Sequence, residues 1–253
     1  MTQSKEEGAN KIIKAARYLK AARLTPGHTG NVSVRAELPD DHPRDPLKSA
    51  VAGGQSKARL KSAVAGGQSK APLKDGFLIT PTGMAYDSLT PEDIVYVRAD
   101  GTWDEEGRAP SSEWQFHLAA YQANEGVNAL VHTHSNFATT LASAGKDIPA
   151  FHYMVAAAGG DSIPLIPYAI FGSKKLSNSV GKAFQTRKAC LMAHHGVLAG
   201  EKTLDKAVEL TEIIEDLAQQ YWAVCQLGEP KLLSAQQMQE VLEKFTTYGQ
   251  LKS

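Results

Sequence analysis

Two histidine pairs stand where apolar segments end. His132-Thr133-His134 closes the run 129–134, and His194-His195-Gly196 follows the run 189–193. Side chains at i and i+2 of a strand point to one side, so both imidazoles of the first pair can meet one ion. With the second pair, the set offers three or four imidazoles, the donors that first-row divalent metals take. An HxH alone reads equally as two partly buried structural histidines; a second pair at another strand end weighs against that. Glu113 is the candidate fourth ligand. It lies in the first turn of a helix opened by Pro110-Ser111-Ser112, where the helix dipole favours a carboxylate. By position alone it is an ordinary helix-start glutamate, and only the surrounding motif changes that.

Three segments suggest anion binding. The turn Gly27-His28-Thr29-Gly30 with Asn31 offers backbone N–H groups and small donors, and Thr82-Gly83 does the same. Ser111 and Ser112 add hydroxyls at a helix N-terminus. Each is weak alone, since Gly/Ser turns usually just turn. Neither a P-loop nor a dinucleotide fingerprint is present, so ATP or NAD has no support. His117, four residues after Glu113, lies on the same helix side and reads either as a neighbour of the site or as buried packing. Trp114, Tyr221, Trp222 and Cys190 read as structural.

These residues need elements to hold them. Residues 5–24 carry Ile12, Ile13, Ala16, Leu19 and Leu24 near helical spacing, and Pro26-Gly27 ends the pattern. Strands are predicted at 31–35, 76–80, 94–98, 129–134 and 189–193. Helices are predicted at 111–122, with Ser111 or Ser112 as cap, and at 138–142. Two more follow at 203–227, between Thr203 and Gly228, and at 234–245. The mixture lacks a regular βαβ rhythm, which implies one α/β or α+β domain rather than a doubly wound nucleotide fold. Between the first two strands lies an oddity. Residues 47–59 (LKSAVAGGQSKAR) and 60–72 (LKSAVAGGQSKAP) agree at twelve of thirteen positions. Two copies are too few for a solenoid. The segment 36–74 reads as a flexible surface insertion, the product of a tandem duplication.

Composition bounds the remainder. A chain of 253 residues can bury a core without disulfides, and its two cysteines form no framework. Its 27 basic and 27 acidic side chains balance, which argues against a nucleic-acid or polybasic membrane binder. No apolar run approaches the length of a membrane span, and the polar start MTQSKEEGANK lacks a signal-peptide core. The expectation is a cytoplasmic globular protein.

Seven segments carry a resemblance. GNVSVR (30–35), LITPTGMAYDSL (78–89), PSSEWQFHLAAY (110–121), VHTHS (131–135), IPAFHYMVAAAGGDSIPLIPYAIFGS (148–173), HHGVLAG (194–200) and LEKFTTYG (242–249) resemble the class II aldolase/adducin family. The likeness spans about residues 5–250 outside the insertion. It implies one domain over 1–253: a central antiparallel-rich sheet flanked by helices, assembled as a homotetramer with sites near subunit interfaces. It also implies one zinc ion per subunit, held by Glu113, His132, His134 and His195, with His194 a neighbour. Ser111, Ser112, Asn31, Thr82 and Gly83 match the cradle of a substrate phosphate. His28 departs from the pattern, because the family's turn carries a small hydroxyl residue there; an imidazole can still donate to a phosphate. Tyr153 matches the acid at the aldehyde oxygen, and Phe171 and Tyr248 match residues that shape the aldehyde end.

The implied reaction is reversible cleavage of a ketose 1-phosphate, of the L-fuculose 1-phosphate type. The products are dihydroxyacetone phosphate and a short aldehyde such as L-lactaldehyde. Zinc would act as the Lewis acid, Glu113 as the base at the hydroxymethyl carbon, and Tyr153 as the proton donor. An aldolase for 5-deoxyribulose 1-phosphate is the near alternative. An L-ribulose-5-phosphate 4-epimerase on the same fold is disfavoured by Glu113, where such relatives tend to carry Asp. A non-catalytic adducin-like interaction domain predicts loss of the ligands, and all four are present.

Overall fold

The computed structural model describes residues 5–27, 29–37 and 76–246. His28, the two repeats at 47–59 and 60–72, and Tyr248 lie outside them. Among the described residues seven strands form one sheet. They are β1 (Asn31–Ala36), β2 (Gly76–Ile79), β3 (Val95–Arg98), β4 (Ala129–Thr133), β5 (Leu165–Ile166), β6 (Ala189–Met192) and β7 (Gly196–Glu201). Their order is β3-β2-β1-β4-β7-β6-β5, and all pairs are antiparallel except β5 with β6. Six helices accompany it: α1 (Lys5–Ala21), α2 (Trp114–Ala123), α3 (Asn136–Ser143), α4 (Lys174–Phe184), α5 (Leu204–Leu227) and α6 (Ala235–Phe245). The mixed pattern of strands and helices implied an α/β or α+β domain, and the resemblance implied its antiparallel-rich sheet; the structure shows both.

The pleat sorts β4 between two cores. Ala129 and Val131 belong to the core that also holds Ile12, Ala16 and Leu19 of α1 and Ala207 of α5. Leu130 faces the other way, toward Phe116 of α2 and Leu176 and Val180 of α4. Each buried Val, Leu, Ile or Phe among them contributes about 1.5–3 kcal/mol relative to exposure. His132 follows the same alternation, so its fully buried ring falls on the α2 side, edge-on to Phe116 with centroids 5.3 Å apart. Register adds the neighbour: β1 pairs with β4 so that Asn31 stands opposite His132.

Some boundaries differ from the sequence expectation. α2 begins at Trp114, and Glu113 itself is the N-cap residue, with φ −106° and ψ 8°. Its carboxylate makes no capping bond, because it is turned toward the histidines. The Ser111 hydroxyl accepts from Glu113 N at 3.3 Å and so serves the turn before the helix. α4, β5 and β7 lie outside the sequence expectation. α4 is short and lysine-rich, with its stripe reduced to Leu176, Val180 and Phe184. β7 reads GVLAGE, where two glycines hide the alternation. No helix among the described residues is long and apolar enough to cross a membrane.

Candidate active site

Glu113, His132, His134 and His195 converge from three places. Glu113 sits at the start of α2, His132 and His134 at the end of β4, and His195 in the turn between β6 and β7. One oxygen or nitrogen from each lies within 4.8 Å of all the others. His132 Nε2 is 3.2 Å from Glu113 Oε2, and His195 Nε2 is 2.8 Å from Glu113 Oε1. His132 Nε2 and His134 Nε2 are 2.9 Å apart. Close backbone packing makes room for this. A Cβ on Gly196 would lie 2.3 Å from Thr133 O and 3.0 Å from His134 Cδ2. Gly30, at φ +88°, passes His132 O where a Cβ would stand 2.5 Å away.

The donor set fits a divalent cation. His132 Nδ1 lies 2.8 Å from the Val197 carbonyl, which can only accept, so Nδ1 carries the proton. That leaves Nε2 as the nitrogen that would turn its lone pair to a bound cation, the orientation that a carbonyl behind a metal-bound histidine provides. Burial pushes His134 down to about 3, helped by the nearby charges of His132 and His195, so it is neutral as a ligand must be. Burial also works to raise Glu113, but the charges of His132 and His195 and their hydrogen bonds outweigh it. The carboxyl is held far below the usual carboxylate range. His194 stays apart from the four: at φ 56° it turns to meet Tyr168 edge-on, with centroids 6.0 Å apart.

A cleft of about 450 Å³ opens on this cluster. One wall is neutral and polar, carrying Asn31, Thr82, Gly83, Ser111 and Ser112. The other carries Tyr168, Ile170 and Phe171, each more than half exposed. No Lys or Arg is among the described residues that line it. Asn31 Nδ2 donates to Ser111 Oγ at 3.0 Å and to Glu113 Oε2 at 2.8 Å, so its donors are turned to the protein. Tyr153 does not line the cleft of its own chain. It opens a 3-10 segment at Tyr153–Ala158, is 51% exposed, and packs on His152.

Other residues escaped the sequence reading. Pro81, Tyr168 and Ile170 join the cleft without belonging to any chemical pattern, while Thr29 of the predicted anion-binding turn lines it as well. Ser33 and Tyr121, both buried, connect to His117 behind Asn31. The period-2 spacing from Asn31 marks Ser33 as its neighbour on the same face, the one signal that points to it.

Residues 10–222 match the family model described as Class II Aldolase and Adducin N-terminal domain. A 5-methylthioribulose-1-phosphate/5-deoxyribulose-1-phosphate aldolase of Rhodospirillum rubrum is 42% identical over 238 residues, covering 94% of this chain and 90% of that one. The L-fuculose phosphate aldolase of Escherichia coli K12 is 49% identical over 176 residues, covering 69% of this chain and 81% of that one. A solved structure of an L-fuculose 1-phosphate aldolase superposes with a TM-score of 0.78 at 31% identity, covering 97% of this chain and 98% of that one.

Proposed function

This chain belongs to the class II aldolase and adducin family, and from that premise we propose that it is a zinc-dependent aldolase that reversibly cleaves a ketose 1-phosphate. The observation that carries the reading is the meeting of four ligand atoms within 4.8 Å beside a cleft one wall of which carries uncharged hydroxyls. The enzyme class, a metal-dependent lyase for sugar phosphates, follows from the aldolase relatives. The substrate is our inference. We take it to be of the L-fuculose 1-phosphate type, giving dihydroxyacetone phosphate and a short aldehyde such as L-lactaldehyde.

Each residue then has a task. Glu113, His132, His134 and His195 hold the zinc ion, which supplies a Lewis acid at the ketose carbonyl. Ser111, Ser112, Thr82 and Gly83 receive the phosphate. The Ser111 oxygen already accepts two hydrogen bonds, so its own proton is free to donate into the cleft. Asn31 joins the cradle by orienting Ser111 rather than by donating to the phosphate itself. Glu113 returns a proton to the carbon of dihydroxyacetone phosphate when the bond is cleaved and removes it when the bond is made. Its lowered pKa keeps the carboxylate ionised in the resting site. Tyr153 handles the proton on the aldehyde oxygen. Its exposure outside its own cleft supports a role in the cleft of a neighbouring copy, as in a homotetramer with sites at the boundaries. Phe171, and Tyr248 beyond the described residues, shape the aldehyde end.

One specific observation favours a second substrate. The Rhodospirillum rubrum relative, matched over 94% of this chain, is named for 5-methylthioribulose 1-phosphate and 5-deoxyribulose 1-phosphate. The test is release of dihydroxyacetone phosphate from L-fuculose 1-phosphate and from 5-deoxyribulose 1-phosphate, before and after chelation. Cleavage lost on chelation and restored by zinc is expected. Chelator-resistant cleavage would remove the metal from the mechanism. Failure with both ketoses would overturn the substrate class.

A further inference from the structure

Behind the site, a run of buried side chains is joined by hydrogen bonds whose donors can be assigned one after another. The carboxylate of Glu113 only accepts. The Asn31 group 2.8 Å from Glu113 Oε2 is therefore its NH2, which also reaches Ser111 Oγ at 3.0 Å. That leaves Asn31 Oδ1 facing His117 Nε2, and since a carbonyl oxygen cannot donate, Nε2 carries the proton. Burial pushes His117 down to about 3, so the ring is neutral and Nδ1 is an acceptor. Ser33 Oγ, 2.7 Å from Nδ1, must then donate to it. Ser33 in turn accepts from the Tyr121 hydroxyl at 2.8 Å. His117, Ser33, Tyr121 and Asn31 are all at least 98% buried, so no bulk water competes for these bonds.

We propose that His117 is a positioning residue: its Nε2–H fixes the Asn31 carboxamide with both N–H groups aimed at Glu113 and Ser111. Every bond from Tyr121 onward then donates toward the site. The alternative rotamer, with Asn31 turned over, would set NH2 against an N–H donor and a carbonyl against a carboxylate, losing two bonds and adding a repulsion. Neutral hydrogen bonds in series polarise one another, and this chain ends on an anion, Glu113, and on the hydroxyl assigned to a phosphate. The proposal deepens the functional reading and rests on it for the roles of Glu113 and Ser111. The direction of the chain does not depend on that reading.

The first test uses protein labelled with nitrogen-15 histidine, at neutral pH. Long-range proton–nitrogen correlation shows which ring nitrogen bears hydrogen, with His117 assigned by its loss in His117→Phe or His117→Gln. A neutral ring protonated at Nε2 is expected; a proton on Nδ1, or on both nitrogens, overturns the proposal. The second test is kinetic. His117→Phe should lower kcat by about 10- to 100-fold, the usual effect of removing a group that orients a ligand. His117→Gln, whose amide can donate to Asn31 and accept from Ser33, should recover most of that loss. In an Asn31→Ala background, His117→Phe should cost no more than about 2-fold further, because it acts through Asn31. Full additivity, or wild-type kcat in His117→Phe, overturns the proposal. If the wild type cleaves neither ketose, the functional reading fails by itself, and the tautomer measurement still decides the donor chain.

Discussion

Glu113 carries two demands in one carboxylate: it belongs to the ligand set and it must exchange a proton with carbon. Glu113→Gln keeps the size and can still accept one hydrogen bond from His195 or Asn31, but it cannot take the proton. We expect a folded protein with unchanged circular dichroism and turnover reduced by at least about 100-fold. Near-normal turnover would exclude Glu113 as the base. His117 makes a different prediction, about stability. Burial moves it from 6.5 to about 3, so below 6.5 the unfolded chain binds a proton that the folded protein refuses. Its stabilising contribution is therefore full above pH 6.5 and is lost as pH falls toward 3, by up to about 1.4 kcal/mol per unit. His117→Gln cannot take that proton. Melting temperatures of chelated protein between pH 7 and pH 4 should fall less steeply in this variant than in the wild type. Equal slopes would mean that His117 titrates freely in the fold.

Among the elements, α3 shows how position is secured just beyond the ligands. It starts two residues after His134, yet the hydroxyl of its own N-cap, Ser135, makes no capping bond. Glu215 on α5 supplies the cap instead, accepting from Phe137 N at 2.8 Å and Ala138 N at 2.9 Å. Glu215→Ala should cost about 1–2 kcal/mol, read as a fall in melting temperature, and an unchanged value would show that water replaces the cap without loss. Such pairings between residues distant in sequence mark the limit of what a sequence reveals. The ligands were legible because imidazole pairs at strand ends and a glutamate at a helix start announce their chemistry locally. α1, β4 and α5 were legible from their apolar periods. Ser33 and His117 are 84 positions apart and meet only through the register of β1 on β4 and the packing of α2 on that face. α4 was missed because serines and lysines dilute its stripe, and β7 because glycine there serves close approach to Thr133 rather than alternation. The position of Tyr153 outside its cleft follows from tertiary packing that no local pattern encodes.

At the scale of the whole molecule, the proposed sharing of sites between copies has a direct consequence. Glu113→Gln and Tyr153→Phe chains, each impaired alone, should regain activity when unfolded and reassembled together. If Tyr153 serves a neighbour, random mixing leaves about a quarter of the sites with both groups intact. No recovery would place Tyr153 in its own chain's cleft or outside catalysis. Deletion of residues 47–59 is expected to leave the melting temperature within about 2 °C, since halving a loop changes closure free energy by only about 0.6 kcal/mol. A large drop would show that the repeat packs on the fold. That expectation rests on β1 and β2, which pair from Ser33↔Ile79 to Ala36↔Gly76 and so hold the insertion's two ends side by side. Asn31, at the opposite end of β1, lies about 17 Å from this junction at the usual strand rise. The junction is therefore a natural attachment port. An affinity peptide, a fluorophore tether or a surface anchor could be grafted there, where the sheet closes the break and the cleft faces away.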